Sequence, residues 1–103
     1  MVTVSDSSPA RRHHLMPTFA VERYVPRSTA SGLLAEGERV TQAAKKLSDP
    51  EKSAVAYLSS IYMPSDEVSF CLFNSDSADS IAAGFERAQI AFDRILEAEV
   101  LEP

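Results

Sequence analysis

Between positions 18 and 25 the chain alternates. Phe19, Val21 and Val25 share one side of an extended segment, with Arg23 as the exception, while Ala20, Glu22 and Tyr24 share the other. A period of two marks a half-buried strand. Pro26, which cannot donate to a sheet ladder, ends it. From 28 to 47 the period changes. Leu33, Gly37, Val40, Ala44 and Leu47 recur at spacings of three and four, the stripe of an amphipathic helix. Ser28, Thr29 and Ser31 are candidate N-caps, and Lys45 and Lys46 suit the end of the helix dipole that favours cations. Gly37 on the buried stripe predicts that this helix lies close against a sheet. Asp49-Pro50 closes the element.

The second half repeats the theme in a different order. Residues 53–62 read as a strand of weak period, 63–66 as a turn and 67–73 as a third strand. So short a turn predicts an antiparallel hairpin. In the third strand Val68, Phe70 and Leu72 are expected to face the core, and Ser69, Cys71 and Phe73 the other side. Asn74, Ser75, Asp76 and Ser77 form a cluster of cap residues, and Ile81, Phe85, Ala88 and Phe92 give the stripe of a second helix, with Asp79 in its first turn. Residues 95–101 alternate again, Leu96, Ala98 and Val100 against Ile95, Glu97, Glu99 and Leu101. They read as a closing strand, with a continuation of the helix as the competing reading. Residues 1–16, rich in Ser, Asp, Pro and Arg, have no period and are expected to be a disordered tail. Met16 could be the true start of translation.

The order β-α-β-β-α-β predicts an α+β, ferredoxin-like domain over residues 17–103. Right-handed crossovers would place both helices on one face of a four-stranded antiparallel sheet, with the first strand between the third and fourth.

Composition narrows the function. The chain has 103 residues, enough for one domain, and a net charge of −5. Basic residues are scattered rather than striped, which argues against nucleic acid and against an anionic membrane surface. No apolar run approaches the ~20 residues of a membrane span, and no secretory signal is visible. Cys71 is the single cysteine, which excludes an intrachain disulfide and fits a cytoplasmic protein.

Four stretches carry a family likeness: PTFAVERYVP at 17–26, YLSSIY at 57–62, SFCLF at 69–73 and RILEAEV at 94–100. Through them the chain resembles a family of small bacterial proteins, one branch of which is nickel-responsive. Glu22-Arg23 before the proline turn and Cys71 in the third strand match its pattern. The resemblance implies a ferredoxin-like fold, a homodimer and, in some members, bound nickel. Ser59 and Gly84 stand here where family members commonly carry histidines, and imidazole is the donor best suited to nickel. The histidines present are His13 and His14, in the tail.

The candidate metal site is therefore the sheet face away from the helices. Glu22, Cys71 and Glu97 or Glu99 are expected to project there, with Tyr24 nearby, as donors for nickel or another divalent metal. The alternative is a solvated or dimer-facing acidic surface. Cys71 alone lacks the neighbouring cation that would activate a thiol and reads more simply as a small buried hydrophobe. Tyr57, Tyr62, Ser59 and Ser60 could line a small-molecule pocket, or pack. No nucleophile, base and orienting group share the domain. The expectation is a non-catalytic binding protein, homodimeric through the open sheet face, whose cargo is a metal ion or small ligand. A dimeric α/β-barrel enzyme acting on a small organic molecule and a ligand-free scaffold subunit are the alternatives.

Overall fold

The computed structural model describes residues 16–47 and 55–103. The elements follow the expected order: β1 (Thr18–Tyr24), α1 (Ala30–Lys45), β2 (Val55–Met63), β3 (Val68–Ser75), α2 (Ala78–Ala88) and β4 (Arg94–Ala98). The strands form one antiparallel sheet in the order β2-β3-β1-β4. The helices contribute Val40, Ala44, Ile81 and Phe85 to a core shared with Phe19 and Val21 of β1. This is the ferredoxin-like α+β arrangement, with β1 between β3 and β4. Of the proposed tail at 1–16, all but Met16 lies outside the described residues, His13 and His14 included, as does Asp49-Pro50.

β1 buries Phe19, Val21 and Arg23 against the helices, and Val25 just past its end is buried too, so Arg23 obeys the alternation it was expected to break. Its charge is satisfied there. Nε donates to the Ala91 carbonyl at 3.1 Å, Nη1 donates to Glu36 Oε1 at 2.9 Å, and the guanidinium lies 5.9 Å from the centre of the Phe85 ring.

Thr29, one of the expected caps, accepts the Gly32 N–H and starts α1. Leu33, Gly37, Val40 and Ala44 are its buried stripe. Leu47 is not: the helix stops at Lys45, and Leu47 is left exposed. Gly37 permits the close approach that the stripe implied, because a Cβ there would stand 2.6 Å from the Tyr57 ring on β2. The helices themselves meet at Gly84, where a Cβ would come within 3.1 Å of the Val40 carbonyl.

Ser77 caps α2 by accepting the Ser80 N–H, and Asp79 sits in the first turn as expected. The helix ends at Gln89 in the left-handed conformation, φ 60°. Phe92 therefore lies beyond the helix, but still packs edge-on against Phe85 with ring centres 5.3 Å apart. The chain then returns as a strand. Asp93 fixes the entry to β4, its N–H donating to the Glu22 carbonyl and its carboxylate accepting the Tyr24 N–H.

The third strand is turned over relative to expectation. Ser69, Cys71, Phe73 and Ser75 face the helices and are fully buried, whereas Val68, Phe70 and Leu72 are half-buried on the open face. The reason is register. Cys71 pairs with Val21 and Phe73 with Phe19, so β3 must share the facing of β1. Phe73 occupies the centre, with its ring 5.3 Å from Tyr57 and 5.7 Å from Phe85.

Candidate functional site

The open sheet face is built by alternate positions of every strand. β1 contributes Thr18, Ala20, Glu22 and Tyr24, β3 contributes Val68, Phe70, Leu72 and Asn74, and β4 contributes Arg94, Leu96 and Ala98. On β2 the positions opposite these include Ser59, Ile61 and Met63. The surface is largely apolar, with Ile61 55 % exposed. Its charged side chains are Glu22 and Arg94, which pair, Arg94 Nε donating to Glu22 Oε1.

The proposed metal donors are not brought together. Glu22 is on the open face, held by Arg94. Cys71 is on the opposite face, 1 % exposed, with Ser69 Oγ at 3.7 Å from its sulfur. Glu97 pairs with Phe19 and so shares the helix-side parity of the sheet, at its outer edge. Glu99 lies past the end of β4. Among the described residues no three His, Cys, Asp or Glu side chains are grouped to hold a metal ion. The four residues therefore do not fit a nickel site within one chain.

The serine and tyrosine group on β2 resolves into structural contacts. Tyr62 donates its hydroxyl proton to the Ser28 carbonyl at 2.8 Å. Tyr57 lies under Gly37 and shares a hydrogen bond with Ser60 Oγ. Loss of water around the Tyr57 phenol raises its pKa above the ordinary tyrosine value, the Ser60 hydrogen bond partly opposing this and the charges of Cys71 and Glu38 adding to it.

A concave site does exist, at the end of the sheet where β1 begins and β3 and β4 finish. It is a cleft of about 970 Å³. Thr18, Asn74 and Ala98, neighbours on adjacent strands, lie along it. On the β2 side stands Leu58, and past β4 the residues from Glu99 to Glu102 line the other side. Leu58 is there because the pairing of β2 with β3 shifts between Tyr57 and Ser59, a bulge that leaves Leu58 without a partner position.

Asn74 is the buried polar residue of the cleft. It is 8 % exposed, and its Oδ1 accepts the Thr18 hydroxyl proton at 2.9 Å. Asn74 borders the cleft, and among the described residues no fully buried side-chain nitrogen or oxygen is without a hydrogen-bond partner. The sequence marked Asn74 only as one of a run of cap residues. A bulge and a hydrogen bond between neighbouring strands leave no periodic signal, so neither Leu58 nor Asn74 could be singled out from the pattern.

The layers and strand order define a ferredoxin-like protein. No family model matches the chain, and no curated protein matches it. Among solved structures, the crystal structure of SCO4226 from Streptomyces coelicolor A3(2) superposes with a TM-score of 0.66 at 20% identity, covering 82% of this chain and 99% of that one. At that identity the likeness establishes the fold alone.

Proposed function

We propose that this protein is a non-catalytic, cytoplasmic carrier or sensor of a small organic ligand. It works as a homodimer whose open sheet faces meet, with the ligand in the cleft at the sheet end. The observation that carries this reading is the cleft itself, about 970 Å³ at the end of the sheet, where Leu58, Val100 and Leu101 stand beside the fixed Thr18–Asn74 hydrogen bond. A largely apolar concavity with a few fixed polar groups is what small-ligand recognition requires.

Dimerisation is supported by charge. Two copies of a chain with net charge −5 repel at long range, but the open faces carry one carboxylate and one guanidinium each, already paired. Identical faces can therefore meet without opposing like charges, and their apolar side chains lose water in doing so. A second copy over the open face would also roof the cleft. A metal cargo, as the family resemblance implies, would have to draw donors from a second copy or from residues outside those described.

Native mass spectrometry of the full chain, purified without added metal or ligand, tests the reading. The expected result is a dimer mass with a retained adduct of organic size. A dimer without adduct, whose melting temperature no small-molecule library raises, would refute the carrier role. A monomer at micromolar concentration would refute the dimer.

A further inference from the structure

The two edges of the sheet differ in kind. β2 is one edge and β4 the other. β2 reads VAYLSSIYM, with no charged residue and no proline. Among the described residues no other backbone pairs with its outer side. An unpaired strand edge is a template for another strand, and proteins guard such edges with charge, proline or a bulge. β2 has only the bulge at Leu58, which leaves residues 59–63 regular. Leu58 and Ile61 are exposed along it. β4 is guarded. It is short, it carries Arg94 and Glu97, and Glu99 and Glu102 follow it. Leu96, Val100 and Leu101 are exposed on and after it.

Two copies that meet by identical faces are related by a two-fold axis lying between them. Two settings of that axis align the strands. An axis across the strands lays β4 on the partner's β4 and β2 on the partner's β2. An axis along the strands lays β4 on the partner's β2, twice. Charge separates the two. The first setting brings Glu97, Glu99 and Glu102 against the same three carboxylates of the partner, in a chain whose net charge is already −5. The second sets them beside a strand with no charge. Direction agrees with the second setting. β1 runs against both β3 and β4, and β3 runs against β2, so β4 runs against β2. Rotation about an axis along the strands keeps that sense. β4 therefore meets the partner's β2 antiparallel, a geometry in which a ladder can form.

Resting on the dimer reading above, we infer that β4 of each copy seats on the uncovered β2 edge of the other, joining the two sheets along both seams. The occupant of the β2 edge is a second copy because the edge and the strand that suits it lie on one chain. A single two-fold then makes the contact twice. The exposed aliphatic side chains of the two edges lose water together as they meet.

Cross-linking of the full chain tests this. Leu96 and Ser59 are both exposed on the open face and stand level across the sheet, since Leu96 pairs with Ala20, Ala20 with Leu72 and Leu72 with Ser59. Within one chain they are three strand spacings apart, about 14 Å. A disulfide spans at most about 7 Å between Cα atoms, so a bridge between them must join two chains. The double variant Leu96→Cys/Ser59→Cys, oxidised with copper phenanthroline, is expected to run as a covalent dimer on a non-reducing gel. Each single variant should stay monomeric there, as should the unaltered chain, whose Cys71 is buried. A covalent dimer of either single variant in equal yield would overturn the pairing in favour of the other axis. Charge at the β2 edge gives a second readout. Ala56 is exposed and level with Ala98, which sits between Glu97 and Glu99. Ala56→Glu should weaken the dimer about tenfold in light scattering and Ala56→Lys should not, because β4 brings carboxylates to that edge. Equal weakening by both would also overturn the pairing. No covalent dimer in any variant, from a protein that native mass spectrometry shows as a dimer, would overturn the edge pairing while the meeting of open faces stands. A monomer in native mass spectrometry would remove both.

Discussion

Gly37 and Tyr57 are one device. An alanine at a helix-interior glycine ordinarily adds about 1 kcal/mol of stability. Here its methyl carbon would stand 2.6 Å from the Tyr57 ring, far inside contact distance. Gly37→Ala should therefore destabilise the protein by roughly 1–3 kcal/mol, as overpacked cores do. In a Tyr57→Leu background the same change should be neutral or favourable. Urea denaturation of the two single variants and the double variant reads this directly, and additive losses would show that α1 can move away from β2. Tyr57 also makes stability depend on pH. Its phenol is neutral when protonated, and burial holds its folded pKa above the unfolded value. The folded state thus keeps the proton longer, so the contribution is complete below the ordinary tyrosine pKa and is lost as pH rises through the folded one. Tyr57→Phe should flatten the decline in melting temperature above about pH 10. An unchanged alkaline limb would assign that decline to other groups.

Among the elements, β3 decides how the sheet is used. Its sequence is apolar on both parities, with Val68, Phe70 and Leu72 on one and Cys71 and Phe73 on the other. Alternation alone cannot say which side is inside, since a single-residue slip exchanges the faces. β1 breaks the tie through its register, and the result predicts opposite behaviour for two phenylalanines. Phe73 is fully buried, and Phe73→Ala should lower stability by about 3–5 kcal/mol at any protein concentration. Phe70 lies half-buried on the open face, so Phe70→Ala should lower stability by an amount that grows with protein concentration, because its main loss is in the dimer. Thermal melts across a hundredfold range of concentration distinguish the two. A concentration-independent loss at Phe70 as large as that at Phe73 would remove the open face from the interface.

At the scale of the whole molecule, the net charge of −5 and the neutral open face make distinct predictions about assembly. Arg94→Glu would place two unpaired carboxylates on each face and four across a dimer. It should convert the protein to a monomer in light scattering, with secondary structure retained in circular dichroism, because Arg94 is exposed on an edge strand. High salt should partly restore association by screening. A stable dimer in this variant at low salt would mean that the copies meet elsewhere.

The sequence by itself determined the order of the elements, the short runs from which both helix caps come, the buried stripe of α1 up to Ala44 and the shared facing of Phe19, Val21 and Val25. These are local matters of period and cap chemistry, written in neighbouring residues. It also located Gly37 as a point of close approach, since a glycine on a buried stripe has few other uses. Tertiary structure alone decided which side of β3 is inside, because that choice belongs to its pairing with β1. It decided that Glu22 meets Arg94 rather than Cys71, for the same reason: parity within one strand is set by its register with the next. The cleft arises from a bulge at Leu58, the course of the chain beyond Ala98 and an asparagine that bonds Thr18 on the neighbouring strand. Each depends on atoms brought together across the sheet from positions up to dozens of residues apart, and no period along the chain records them.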